Sequence, residues 1–180
     1  MPTLSAINRA ITRICAIGAG ASLAAVFGII FFNSLRRYTI GKSLEWGEEM
    51  PIYLTIYGIM FGSALAYLHD RHVRFTFLTD LLTPRLREWL LALVDLVMIV
   101  TGGLLAYSGW LFMLKRGGVE ASGIIGPSKG LADATGLPWL EALGHMAVWQ
   151  FSMTLGGAIL SLAALLKFIE RSSTLSGRRG

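Results

Sequence analysis

The sequence predicts an all-α integral membrane protein: four transmembrane helices, both termini cytoplasmic, and a short interfacial helical segment before the second span. Three observations lead there. Hydrophobic residues make up 54% of the 180 positions and charged residues only 15%, with a mean hydropathy of +0.60. A water-soluble domain of this size needs more surface charge. Four apolar runs, at 14–35, 51–68, 89–114 and about 140–168, each meet the roughly 20-residue requirement for crossing a bilayer core. Finally, ten of the sixteen Lys and Arg residues fall on the side of the termini when the four runs are threaded through a membrane. The positive-inside rule then places that side in the cytoplasm.

The first run follows Arg9 and Arg13 and superficially resembles a signal peptide. Its apolar stretch is too long for such a leader and no small-x-small cleavage site follows, so it reads as a retained span. Loop one carries Arg36, Arg37 and Lys42, and ahead of the second run come Glu45, Trp46, Glu48 and Glu49. Spaced i, i+3 and i+4, the three acids share one helical face. Ser43 is placed to cap that turn, and acids there complement the positive end of a helix. Pro51 sits either as the first residue of the span or as a kink after an interfacial turn. The connector at 115–138 is rich in Gly, Ser and Pro and predicts a short re-entrant or surface segment. The tail at 171–180 is expected to be frayed and cytoplasmic. The four runs occupy most of the chain, so a single four-span membrane domain over 1–180 is expected.

Several classes of chemistry find little support. Cys15 is the sole cysteine, which leaves no intrachain disulfide and no cysteine-rich metal site. The net charge of +5 resides in short loops and tails, so it reports topology rather than nucleic-acid binding. His69 and His72 are three apart, but His145 is predicted near the opposite face, so haem or zinc ligation is not expected. Cation placement at a helix end and contact with lipid phosphates account for His69, Arg71, His72 and Arg74. No Ser-His-Asp set, phosphate-cradling Gly loop or HExxH motif occurs; no enzyme, cofactor or metal site is expected. The tryptophans fall mostly at predicted span ends, as aromatic anchors do.

Two features stay open between packing and function. Rows of small residues (Gly58, Gly62, Ala66; Gly20, Ala24, Gly28; Gly102, Ala106) allow close helix approach, either within the chain or against a partner. Asp95 is the one acid clearly inside an apolar run. It reads as part of a proton or sodium relay, or as the partner of a polar group on a neighbouring helix or subunit.

The order Arg37-Tyr38, Ser43-Leu44-Glu45-Trp46-Gly47-Glu48-Glu49, Gly62-Ser63-Ala64 and His72-Val73-Arg74 resembles the small membrane subunit, DctQ-like, of tripartite ATP-independent periplasmic (TRAP) transporters. The four-span layout fits nearly the whole chain, and the motifs cover roughly 35–84. Two positions depart from the family pattern: Ile52 where a basic residue is common, and Thr76 where an acid is. The resemblance implies an accessory subunit of the bacterial inner membrane that scaffolds a large permease subunit. Sodium-coupled import of an organic acid, delivered by a periplasmic binding protein, would follow. The partner-interface candidates are then Arg36, Arg37, Glu45, Trp46, Glu48, Glu49, Gly58, Gly62, His72, Arg74 and Asp95. The competing reading is a self-contained four-span small-molecule carrier.

Overall fold

The computed structural model describes residues 2–69 and 83–177. Five α-helices and one 3-10 helix account for nearly all of them. Helix α1 spans Pro2–Ile40, α2 Trp46–Leu68, α3 Pro84–Arg116, α4 Ser122–Thr135 and α5 Met146–Gly177; the 3-10 helix is Pro138–Gly144. Four of these, within α1, α2, α3 and α5, are long and apolar enough to cross a membrane. The only bridge of β type among the described residues pairs Glu120 with His145.

The helices start and stop for local reasons. Gly41 ends α1 in the left-handed region at φ +74°, its N–H donating to the Arg37 carbonyl, a conformation that costs glycine little. Pro84 opens α3, where its missing N–H matters least, and Lys115 and Arg116 occupy the last turn, where the helix dipole favours cations. Helix α2 runs unbroken through Pro51, so the expected interfacial segment is simply its first turns. The fourth span begins at Met146, not near residue 140, because Pro138 starts a separate 3-10 helix. At its far end α5 continues through Arg171 to Gly177, where a frayed tail was expected.

The four long helices pack chiefly as a row, α1 against α2, α2 against α5 and α5 against α3, with a lighter contact between α1 and α5. Two seams of the row differ in kind. Between α3 and α5 the backbones touch: a Cβ on Gly102 would lie 2.7 Å from the Ser161 nitrogen, and one on Gly109 2.7 Å from that of Thr154. Ser161 Oγ also donates to the Ile99 carbonyl at 3.0 Å. The Gly102/Ala106 row is therefore spent inside the chain, against Gly157. Between α1 and α2 side chains intervene, with the Phe61 ring over Gly18 and Ser22 beside Gly58. Gly20, Gly28 and Gly62 face nothing within 4 Å.

Two apolar clusters lie toward opposite ends of the helices. At the end where α1 begins, Tyr67, Leu68, Ala163 and Ala164 gather Ile11, Met98, Ile99 and Leu160 from the surrounding helices. At the other end Ala121, Ile124 and Trp149 pack on Trp46, Met50, Tyr53, Leu54 and Tyr57. That second cluster seats α4 on α2 and α5. The excursion from α3 to α5 is closed at its neck by backbone hydrogen bonds: Ala121 N–H to Gly144 O, Met146 N–H to Val119 O and Ala147 N–H to Gly117 O.

Candidate partner interface

The acidic entry of α2 is built by its neighbours. Asn33 of α1 accepts the Leu44 N–H at 2.7 Å through Oδ1, fixing the turn that leads into the helix. Gly47 is required there, since a Cβ would lie 2.8 Å from the Asn33 carboxamide carbon. Glu45 is the N-cap and makes no side-chain capping bond; Ser43 does not cap, because the turn is already held by Asn33 and by Gly47 N–H to Leu44 O.

The three acids have different fates. Glu49 accepts from Ser122 Oγ at 2.9 Å and from the Gly123 N–H at 3.1 Å. Helix α4 has no capping side chain of its own, so Glu49 caps it from α2. Glycine at 123 makes room for this contact, as a Cβ there would lie 2.9 Å from the Glu45 carbonyl oxygen. Glu45 and Glu48 are exposed and have no side-chain partner among the described residues. Arg36 and Arg37 form no ion pair with these acids; Arg37 instead lies 5.8 Å from the Tyr38 ring centroid. On α4, Lys129 Nζ pairs with Glu120 at 3.0 Å and lies 3.9 Å from Glu141. The hydrogen bond to Glu120 holds the Lys129 ammonium above its ordinary pKa.

Trp46 packs into the apolar cluster beneath α4, and Trp149 stacks on Tyr53 with centroids 5.3 Å apart and donates Nε1–H to the Leu143 carbonyl. These two are core residues, whereas Trp89, Trp110 and Trp139 are exposed as anchors would be. Of the small candidates, Gly58 lies against Ser22 and Gly62 is open. His72 and Arg74 lie outside the described residues.

Asp95 sits elsewhere, at the opposite end of the row and only 1% exposed. Tyr67 Oη of α2 donates to its Oδ1, and Arg171 Nη1 of α5 donates to its Oδ2 at 2.8 Å. The same guanidinium nitrogen reaches the Leu91 carbonyl at 3.1 Å. Three helices thus meet on one carboxylate, which is engaged inside the chain and not presented at its surface. Charge compensation is what makes an acid tolerable at this depth. Arg171 escaped sequence reasoning because it lies beyond the last apolar run.

A row of four membrane-length helices with a small capping helix at one end is compatible with many membrane proteins. Comparison with known sequences decides among them. The family described as Tripartite ATP-independent periplasmic transporters, DctQ component, matches residues 26–174. The chain belongs to the DctQ family. Among DctQ-related proteins it is 22% identical over 156 residues to the sialic acid TRAP transporter small permease protein SiaQ of Vibrio cholerae serotype O1 (strain ATCC 39315 / El Tor Inaba N16961), covering 86% of this chain and 79% of that protein. It is 32% identical over 81 residues to the sialic acid TRAP transporter permease protein SiaT of Haemophilus influenzae (strain 86-028NP). That match covers 45% of this chain but only 13% of SiaT. The chain is thus a TRAP transporter small permease component and a multi-pass membrane protein, and the family match takes in the last three candidate spans and part of the first.

Proposed function

We propose that this DctQ chain braces a large TRAP permease subunit in the bacterial inner membrane, with both termini in the cytoplasm. The complex imports an organic acid by sodium symport, the solute being captured and delivered by a periplasmic binding protein. The observation that carries this reading is the family match across residues 26–174. The row supports it: only 6% of the most apolar window of α1 and 11% of that of α3 is buried within the chain, leaving apolar faces for a membrane partner. The relatives' printed names suggest a carboxylated sugar such as sialic acid as the solute class. Exposed Glu45 and Glu48, with Arg36 and Arg37 nearby in sequence, supply charge for the partner contact, while Glu49 holds α4 in place.

Co-expression with the permease encoded beside this chain, followed by purification and reconstitution with the binding protein, tests the proposal. A stable complex with sodium-dependent uptake is expected, and the chain alone should transport nothing. Charge reversal at Glu45 and Glu48 should reduce assembly or uptake more than reversal at Arg178 and Arg179. Equal effects at the two places would remove the acids from the interface, and uptake by the chain alone would overturn the subunit reading.

A further inference from the structure

We propose that the end of the row where α1 begins and α2 finishes holds the phosphodiester headgroup of a glycerophospholipid. A cavity of about 860 Å³ opens there, lined by Asn8, Arg9, Thr12 and Arg13 of α1 and by Leu68 and His69 of α2. Arg9 and Arg13 are one helical turn apart, as are Asn8 and Thr12, so both pairs project toward the same side. Among the described residues neither guanidinium has a hydrogen bond or ion pair, and no carboxylate of theirs lines the cavity. Asn8 Oδ1 is buried and receives no hydrogen bond among the described residues. A buried acceptor left in this state is costly, and its rarity in folded proteins marks a missing donor.

The chemistry of the lining selects the ligand. Two adjacent guanidiniums suit the paired non-bridging oxygens of a phosphodiester, which accept planar, bidentate hydrogen bonds. The Asn8 carboxamide oxygen adds an acceptor, so the favoured headgroup also carries a donor, the hydroxyls of phosphoglycerol or the ammonium of phosphoethanolamine. Depth agrees with a lipid: Arg9 and Arg13 immediately precede the apolar run that starts at Ile14, the level at which headgroup phosphates lie. Ile14 and Ile17, just beyond, are 57% and 64% exposed and offer a surface for the acyl chains. The site needs no other subunit, so its failure would leave the transporter reading untouched.

Native mass spectrometry of the full chain released from detergent tests the site, with phosphatidylglycerol, phosphatidylethanolamine and phosphatidylcholine supplied in equal amounts. One phosphatidylglycerol or phosphatidylethanolamine should be retained. Phosphatidylcholine, whose quaternary ammonium donates nothing to Asn8, should be retained several-fold less. R9Q/R13Q should lower the bound fraction at least tenfold relative to K115Q/R116Q, which removes the same charge at the far end. N8L should abolish the preference over phosphatidylcholine while the arginines still hold phosphate, a readout that survives if the double arginine variant fails to fold. Equal loss in both double variants, or equal retention of all three lipids by the unaltered chain, would overturn the proposal. Displacement of the lipid by millimolar inorganic phosphate or sn-glycerol 3-phosphate would show a soluble phosphate site instead and would overturn it as well.

Discussion

The α3–α5 seam and the α1–α2 seam solve the same problem with opposite means. Lipid tails are as apolar as leucine, so helices in a membrane gain little from hiding hydrophobic surface and must gain from close contact and hydrogen bonds. Along α3 and α5 glycines bring the backbones together, Ser161 adds a hydrogen bond, and Asp95 receives Arg171. Along α1 and α2 contact runs through Phe61, Ser22 and Asn33, and the outward face of α1 keeps Leu23, Phe27 and Phe32 more than 60% exposed. One seam is built to hold the subunit together, and the other leaves surface for something else to cover.

Breaking the tight seam should cost most. A Cβ on Gly157 would fall 2.7 Å from the Gly102 carbonyl oxygen, so Gly157→Leu should lower stability by more than about 3 kcal/mol and drive the detergent-solubilised chain to aggregate on size exclusion. Gly20→Leu on α1, which meets nothing within 4 Å, should leave the melting temperature unchanged. If both substitutions were equally harmful, the contrast between the seams would fail.

The buried charge comes next. Asp95→Leu removes the buried carboxylate that compensates Arg171 and should cost about 3–5 kcal/mol, while Asp95→Leu with Arg171→Leu should recover much of it, because the pair's worth lies in mutual compensation. A thermal-denaturation double-mutant cycle reads this coupling, and strict additivity would show the ion pair to be dispensable. Tyr67→Phe, removing one donor to the buried carboxylate, should cost about 1.5–3 kcal/mol.

Smaller effects belong to the capped end. Glu49→Ala should destabilise α4 by about 1 kcal/mol and raise amide exchange at residues 123–126 while leaving α3 and α5 protected. Global loss of protection would mean that Glu49 holds more than α4. Lys129→Gln should change least, since its partners are half-exposed and surface pairs contribute little. The Lys129 pKa is raised in the folded chain, so the pair's contribution is present below the ordinary lysine value of 10.5 and disappears as pH rises through the folded one. Melting curves at pH 7 and above 11 should therefore differ less in Lys129→Gln than in the unaltered chain.

The sequence by itself determined the class and the number of spans, because hydropathy acts over about 20 residues and needs no knowledge of neighbours, and its motifs and family match determined the family. Glu45, Glu48 and Glu49 were also visible as a cluster on one face. Only the tertiary structure separated Glu49, which caps α4, from the two acids left exposed. It alone gave the order in which the four helices pack and sorted the small residues into those packed on backbone, at 102 and 157, and those facing open space, at 20 and 62. It also joined Asp95 to Arg171, 76 residues away. The reason is physical: crossing a membrane is a property of one helix, whereas a hydrogen bond or a glycine contact belongs to two. The identity of the second helix is not written in the periodicity of the first.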